Sequence, residues 1–238
     1  MNQHNRFKAG LKKAMPIALG YFPVSFTFGI MASGGGIDPI TATIISLTNF
    51  TSAGQFAGTQ LILIQRPLLE IALTTFIINI RYMLMSLAIS QKLMPMSMIE
   101  KCILAFGITD ETFALTSLEK EKISFLHMLG IIIGPYIGWA LGTFCGAFAS
   151  SLLPLALQQA MGIALYAMFI ALIVPEMKKS STVLIVVSLT ILISTMFYYI
   201  PIFFNLTEGW KIIITTLIGS TIGAGLFPIK EEDYTRCT

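Results

Sequence analysis

The sequence predicts an all-α fold, a polytopic membrane bundle of about eight passes with one or more discontinuous helices. Three observations predict it. Of 238 residues, 55% are hydrophobic and only 11% charged, with a mean hydropathy of +0.80, whereas soluble domains carry about 25% charged residues. Apolar runs about twenty residues long recur, the length a helix needs to cross the hydrocarbon core of a bilayer. Prolines, glycines and a few polar groups sit inside those runs, where they interrupt helices or mark sites. The net charge of +3 is spread between apolar runs, so no nucleic-acid surface is expected. Two histidines and the cysteines Cys102, Cys145 and Cys237 share no ligand spacing, and neither a metal nor another cofactor is expected. HExxH, GxSxG, Walker A and GxGxxG patterns are missing, so an enzyme is not expected.

Residues 1–13 are polar and basic. They begin like a signal peptide, but the apolar run continues past Phe28 and reads as a retained first span, 14–33. Pro16, Gly20 and Pro23 inside it predict a kinked or locally unwound helix. Gly34-Gly35-Gly36 makes a turn, and Asp38-Pro39 reads as an N-cap followed by proline at the first helical position. In the second span, 40–64, Thr48, Ser52, Gln55 and Thr59 fall on one helical face with Asn49 beside them. Gly54 and Gly58 form a small-xxx-small pair. The third span, 71–90, follows Glu70, a carboxylate favoured by the N-terminus of its own helix. Asn79 and Arg81 occupy its middle, where an arginine costs roughly 2.5–3.5 kcal/mol on insertion scales.

The segment 98–118 is weaker, is interrupted at Gly107, and restarts at Thr109-Asp110-Glu111. It reads either as a broken helix of the kind that builds transport sites or as an amphipathic helix at the interface. From Lys122 to Glu176 no charge intervenes, room for two spans divided near 150–154. In the first, Gly130, Gly134, Gly138, Gly142 and Gly146 recur every four residues, which predicts a central packing helix. Spans 155–174, 182–204 and 210–228 follow, then a polar tail, 229–238. One transmembrane domain, 14–228, is expected. Weak likeness between 29–33 and 146–150 suggests a repeat of 14–118 and 123–228.

Basic residues in short loops favour the cytoplasm. With eight passes and a cytoplasmic N-terminus, Arg6, Lys8, Lys12, Lys13, Arg66, Lys120, Lys122, Lys178, Lys179, Lys230 and Arg236 lie inside, and Lys92, Lys101 and Lys211 outside. That is eleven against three; without a crossing at 98–118 the division is six against eight.

Arg81 needs an anion. Glu70 is eleven residues away, roughly 16 Å along a helix, which leaves Asp110, Glu111 or a ligand's carboxylate. An Arg81–Asp110 pair is either a fixed lock between helices or a partnership exchanged during transport, with Asp110 and Glu111 as coupling or gating acids. A small solute would lie near Asn49, Ser52, Gln55, Asn79 and Arg81, its carboxylate met by Arg81 or by amides freed at a break in the first span.

The motifs at 16–23 (PIALGYFP), 52–58 (SAGQFAG), 79–84 (NIRYML) and 109–114 (TDETFA) together resemble the AzlC family, large subunits of bacterial branched-chain amino acid exporters. Tyr82 departs from the pattern, which has histidine after the arginine. The resemblance implies a proton-driven secondary transporter in the bacterial plasma membrane that exports leucine, isoleucine, valine and perhaps methionine. It also implies a small membrane partner of the AzlD type. Export of another small neutral metabolite, or a membrane scaffold or sensor without flux, are the alternatives.

Overall fold

A computed structural model describes residues 3–119, 121–154, 173–200 and 206–227, together with 156, 163, 166, 167 and 170. The chain divides into two compact units, one of residues 1–65 and 78–166, the other of 66–77 and 167–238.

The first unit is built on two long helices, α1 (Gln3–Gly34) and α7 (Phe125–Ala149). Lipid gives no hydrophobic drive for helices to associate, so close backbone approach supplies the adhesion. The glycines expected to pack do so against α1. A Cβ at Gly138 would stand 2.5 Å from Ala18 O, and one at Gly134 3.1 Å from Leu11 Cδ1. At Gly130, Gly142 and Gly146 it would strike the carbonyls of Phe7, Phe22 and Phe26. Gly10 and Gly29 reciprocate against His127 and Thr143. Contacts rise together along both chains, so α1 and α7 run parallel. Helix α1 passes unbroken through Pro16, Gly20 and Pro23. The expected break in the first span is therefore absent; the tight seat against α7 holds the helix through its prolines.

The second segment is not one span. Helix α2 (Pro39–Thr48), capped by Asp38 as the sequence suggests, stops before Asn49, and α3 (Ala53–Leu63) starts after Ser52. Both outer ends lie where α1 finishes: α2 follows the turn at Gly34–Gly36, Gln60 reaches Met31, and Leu63 packs on Gly35. The tip points inward, with Phe50 against Tyr21, Tyr136 and Trp139. Residues 39–63 are thus a hairpin that enters and leaves on one side. Thr48 ends α2 and Ser52 immediately precedes α3, so Thr48, Ser52, Gln55 and Thr59 do not share one helical face.

Helix α4 (Leu68–Ser90) runs toward the end where α1 begins, since Met94 meets Arg6 and bonds Ile123 O. There a second hairpin starts. Helix α5 (Met98–Phe106) ends at Gly107, where any side chain would collide with Ile132, and α6 (Asp110–Ser117) returns. The return is fastened at the starting side by Lys92 Nζ on Ser117 O at 2.6 Å and by Lys13 on Glu119 at 2.6 Å. Ile89, Leu104, Ile108, Ile123, Met128 and Ile132 form the apolar core that seats this hairpin.

The all-helical class holds and discontinuous helices are present, but eight passes are not confirmed. Each apolar run at 40–64 and 98–118 has the length of a crossing, but breaks in the middle and doubles back. Among the described residues, five helices are long and apolar enough to cross: α1, α4, α7, α8 (Ser181–Tyr199) and α9 (Glu208–Leu226). The expected span 155–174 lies mostly outside the described residues, and the tail 229–238 wholly so.

In the second unit α8 and α9 run antiparallel, Gly219 against Thr190 and Gly223 against Val186. Glu70 lies in the first turn of its own helix, as expected, and also serves a second one. It is 4% exposed and accepts from Thr207 Oγ1 and, at 3.1 Å, from Gly209 N, so it caps the start of α9.

Candidate functional site

The two hairpin tips meet around the middle of α4 and the middle of α1. From the second tip, Thr109 caps α6 through a reciprocal bond with Thr112, and Asp110 and Glu111 occupy the first turn. Asp110 Oδ2 lies 2.9 Å from Arg81 Nη2. Tyr21 OH, from α1, stands 2.8 Å from Thr109 Oγ1 and also bonds Glu111 Oε2. No described cation lies in ion-pairing distance of Glu111. The two neighbouring acids therefore differ: Asp110 is paired with a guanidinium, and Glu111 is held by a phenol.

From the first tip, Tyr82 OH donates to Thr51 O at 2.9 Å, and Asn79 covers Gly54 so closely that no side chain fits there. Asn49 takes a bond from Thr51 Oγ1 at 2.6 Å within the tip itself. Ser52 has φ +50°, a left-handed conformation costly for a residue with a Cβ, and its hydroxyl does not cap α3. So α6 is capped by a side chain, whereas the N-terminus of α3 is not. Uncapped N–H groups at a helix start carry partial positive charge and receive anions. Beside them Asn79 Oδ1 and Arg81 Nε are buried and without partners among the described residues, unused bonding capacity that costs free energy unless a ligand meets it.

The Arg81–Asp110 pair is not sealed. Their side chains are 42% and 37% exposed, so the site is open on one side. Of the residues expected around a solute, Asn49, Ser52, Asn79 and Arg81 gather here with Asp110 and Glu111. Gln55 does not join them. It is 1% exposed, and its amide accepts from Trp139 Nε1 at 2.9 Å while donating to Ser46, which bonds Thr143 at 2.7 Å. Both ends of the amide are used in stapling the first hairpin to α7. The amides expected to be freed in the first span are absent with its break; the uncapped start of α3 supplies them instead.

Tyr21, Tyr136 and Trp139 were not anticipated, and Tyr82 only as a departure from the family pattern. Aromatic residues with polar handles gather at membrane interfaces, so their position in the middle of spans is the signal: there the handle must find a partner. Tyr136 finds Leu47 O at 2.8 Å.

At the rim where α1 begins, Glu119 meets Lys13 at 2.6 Å and His127 Nε2 at 3.2 Å, and His127 Nδ1 faces Arg6 O at 3.1 Å. Burial acts to raise the Glu119 carboxyl, but the bonds from Lys13 and His127 outweigh it and hold the pKa below the usual value of 4.5. A cavity of about 420 Å³ opens beside this cluster, lined in part by Arg6, Met94 and Lys122.

Residues 16–153, which include both hairpins and α7, match the sequence model of the family described as AzlC protein. An uncharacterized membrane protein of Archaeoglobus fulgidus is 36% identical over 72% of this chain and 76% of its own. Inner membrane protein YgaZ of Escherichia coli is 29% identical over 77% and 78%. An uncharacterized membrane protein of Helicobacter pylori is 27% identical over 74% and 77%. No solved structure matches.

Proposed function

We propose, from the premise that this chain belongs to the AzlC protein family, that it is a secondary transporter exporting branched-chain amino acids across the bacterial plasma membrane. The observation that carries the reading is the pairing of Arg81 with Asp110 between two opposed, inward-pointing hairpin tips. Broken helices whose ends face each other are how many transporters assemble a site for a charged solute. The site suits a zwitterion. A carboxylate would be met by Arg81 and the N–H groups at the start of α3 that no side chain caps, and an ammonium by Asp110 and the buried Asn79 Oδ1. A solute with both charges competes for each half of the resting pair, so binding loosens what holds the tips together. Glu111, bonded by Tyr21, is the coupling acid that exchanges a proton.

Orientation follows from the hairpins. Neither crosses, so within the first unit Arg6, Lys8, Lys12, Lys13, Lys92, Lys101 and Lys122 share the N-terminal side. A concentration of basic residues on that side supports a cytoplasmic N-terminus. The resemblance adds a small membrane subunit of the AzlD type as partner.

Counterflow in proteoliposomes tests the reading. Preloaded leucine, isoleucine, valine or methionine should drive uptake of labelled leucine, and Arg81→Ala should abolish it. If these four fail while another neutral metabolite exchanges, the cargo is wrong. If nothing exchanges and Arg81→Ala lowers only the stability of a complex, the chain is a scaffold.

A further inference from the structure

We propose that Tyr82 is a positioning residue that ties the two hairpin tips together, so that release of one loosens the other. The inference rests on the transport reading and deepens the account of that same site. Arg81 and Tyr82 are consecutive on α4, and consecutive side chains leave a helix about 100° apart. They therefore reach different neighbours. Arg81 takes the second hairpin through Asp110 at 2.9 Å, and Tyr82 takes the first through Thr51 O at 2.9 Å. The two are also joined to each other. The guanidinium carbon lies 5.1 Å from the centre of the Tyr82 ring, and Arg81 Nη2 makes a long bond of 3.4 Å to the Tyr82 hydroxyl.

A continuous path thus runs Asp110–Arg81–Tyr82–Thr51, from one tip to the other, through two adjacent residues of a rigid helix. Thr51 precedes Ser52, whose φ is +50°. The phenol therefore holds a carbonyl at the strained point of the first hairpin, where loss of the bond lets the backbone relax. When a solute draws Arg81 from Asp110, the guanidinium shifts over the ring that holds Thr51. Opening at one side is thereby passed to the other through α4.

Hydrogen exchange on the full chain in lipid nanodiscs tests this apart from transport. Asp110→Asn should speed exchange of the amides at 49–55 at least threefold, although Asp110 bonds nothing there. Tyr82→Phe, which keeps the ring and removes the hydroxyl, should do the same. Together they should add no more than the larger single effect, and Tyr82→His, whose ring N–H can still donate, should stay near the native rate. If Asp110→Asn does not yield folded protein, Arg81→Gln takes its place in the cycle. Unchanged amides at 49–55 in Asp110→Asn, or fold-changes that multiply in the double variant, overturn the proposal. A cycle that stays non-additive while leucine fails in counterflow supports the linkage and removes the transport reading.

Discussion

Arg81 Nη2 lies 2.9 Å from Asp110 Oδ2, and this contact joins the middle of α4 to the first turn of α6. As a working partnership it must do more than lock two helices. Arg81→Ala and Asp110→Asn are expected to lower leucine counterflow at least tenfold each, with Arg81→Lys intermediate because it keeps the charge and loses the planar fork. Variants that lose folded protein in proportion to flux would mark the pair as a fixed lock.

Glu111 is bonded by Tyr21 and by no described cation. Glu111→Gln keeps the hydrogen bond and removes the titratable proton, so exchange of leucine for leucine should persist while accumulation driven by a pH gradient disappears. Loss of both, or survival of both, assigns the proton elsewhere.

The hairpins make a topological prediction. In a chain freed of its native cysteines, Lys101→Cys and Lys122→Cys should be labelled from the same side of the membrane, and Asp38→Cys and Gln65→Cys from the other. Labelling of Lys101→Cys and Lys122→Cys from opposite sides would restore the straight fourth pass.

Two glycine variants separate close packing from open space. Gly142→Val drives a side chain into Ser25 and the Phe22 carbonyl, an overpacking worth about 1–3 kcal/mol or more, since backbone cannot yield. Gly20→Ala meets nothing within 4 Å and should stabilise α1 by up to about 1 kcal/mol. Melting in detergent distinguishes them, and a destabilised Gly20→Ala would show that α1 needs its flexibility.

Because its folded pKa is depressed, Glu119 contributes stability above its unfolded value of about 4.5, and that contribution is lost as pH falls through the folded value. The Lys13 side chain is 49% exposed, so the gain is held to about 0.2–1 kcal/mol. Glu119→Gln should therefore lower the melting temperature by about 0.4–4 °C at pH 7 and by less at an acid pH below the folded value. A shift that is the same at both pH values would remove the ionic account.

Composition and run length made the helical membrane class legible, and the four-residue glycine spacing of 130–146 pointed to the helix that α1 packs on. The centre of the site was legible too, because an arginine amid apolar residues demands an anion and few were available. The hairpins were not legible from run length, since an apolar segment of about twenty residues looks alike whether it crosses or folds back. The break at Gly107 was visible because a capping threonine and two acids follow it. The break at 49–52 was hidden because Thr48, Ser52, Gln55 and Thr59 imitate one helical face. Gln55 was misassigned for a related reason: its partners, Trp139 and Ser46, come from elements whose approach no local pattern encodes.

The backbone seam between α1 and α7 also bears on how the protein is made. Gly10 of α1 meets His127 and Ile131, which the ribosome adds more than a hundred residues later. At about 5–20 residues per second, α1 waits roughly 6–24 s in the bilayer before its mate is synthesised. Until then Ser46 and Gln55 have no Thr143 or Trp139 to bond. A nascent chain of this protein is therefore a client for whatever shelters polar groups beside the translocation channel, and truncations ending before residue 125 should be cleared rather than accumulate.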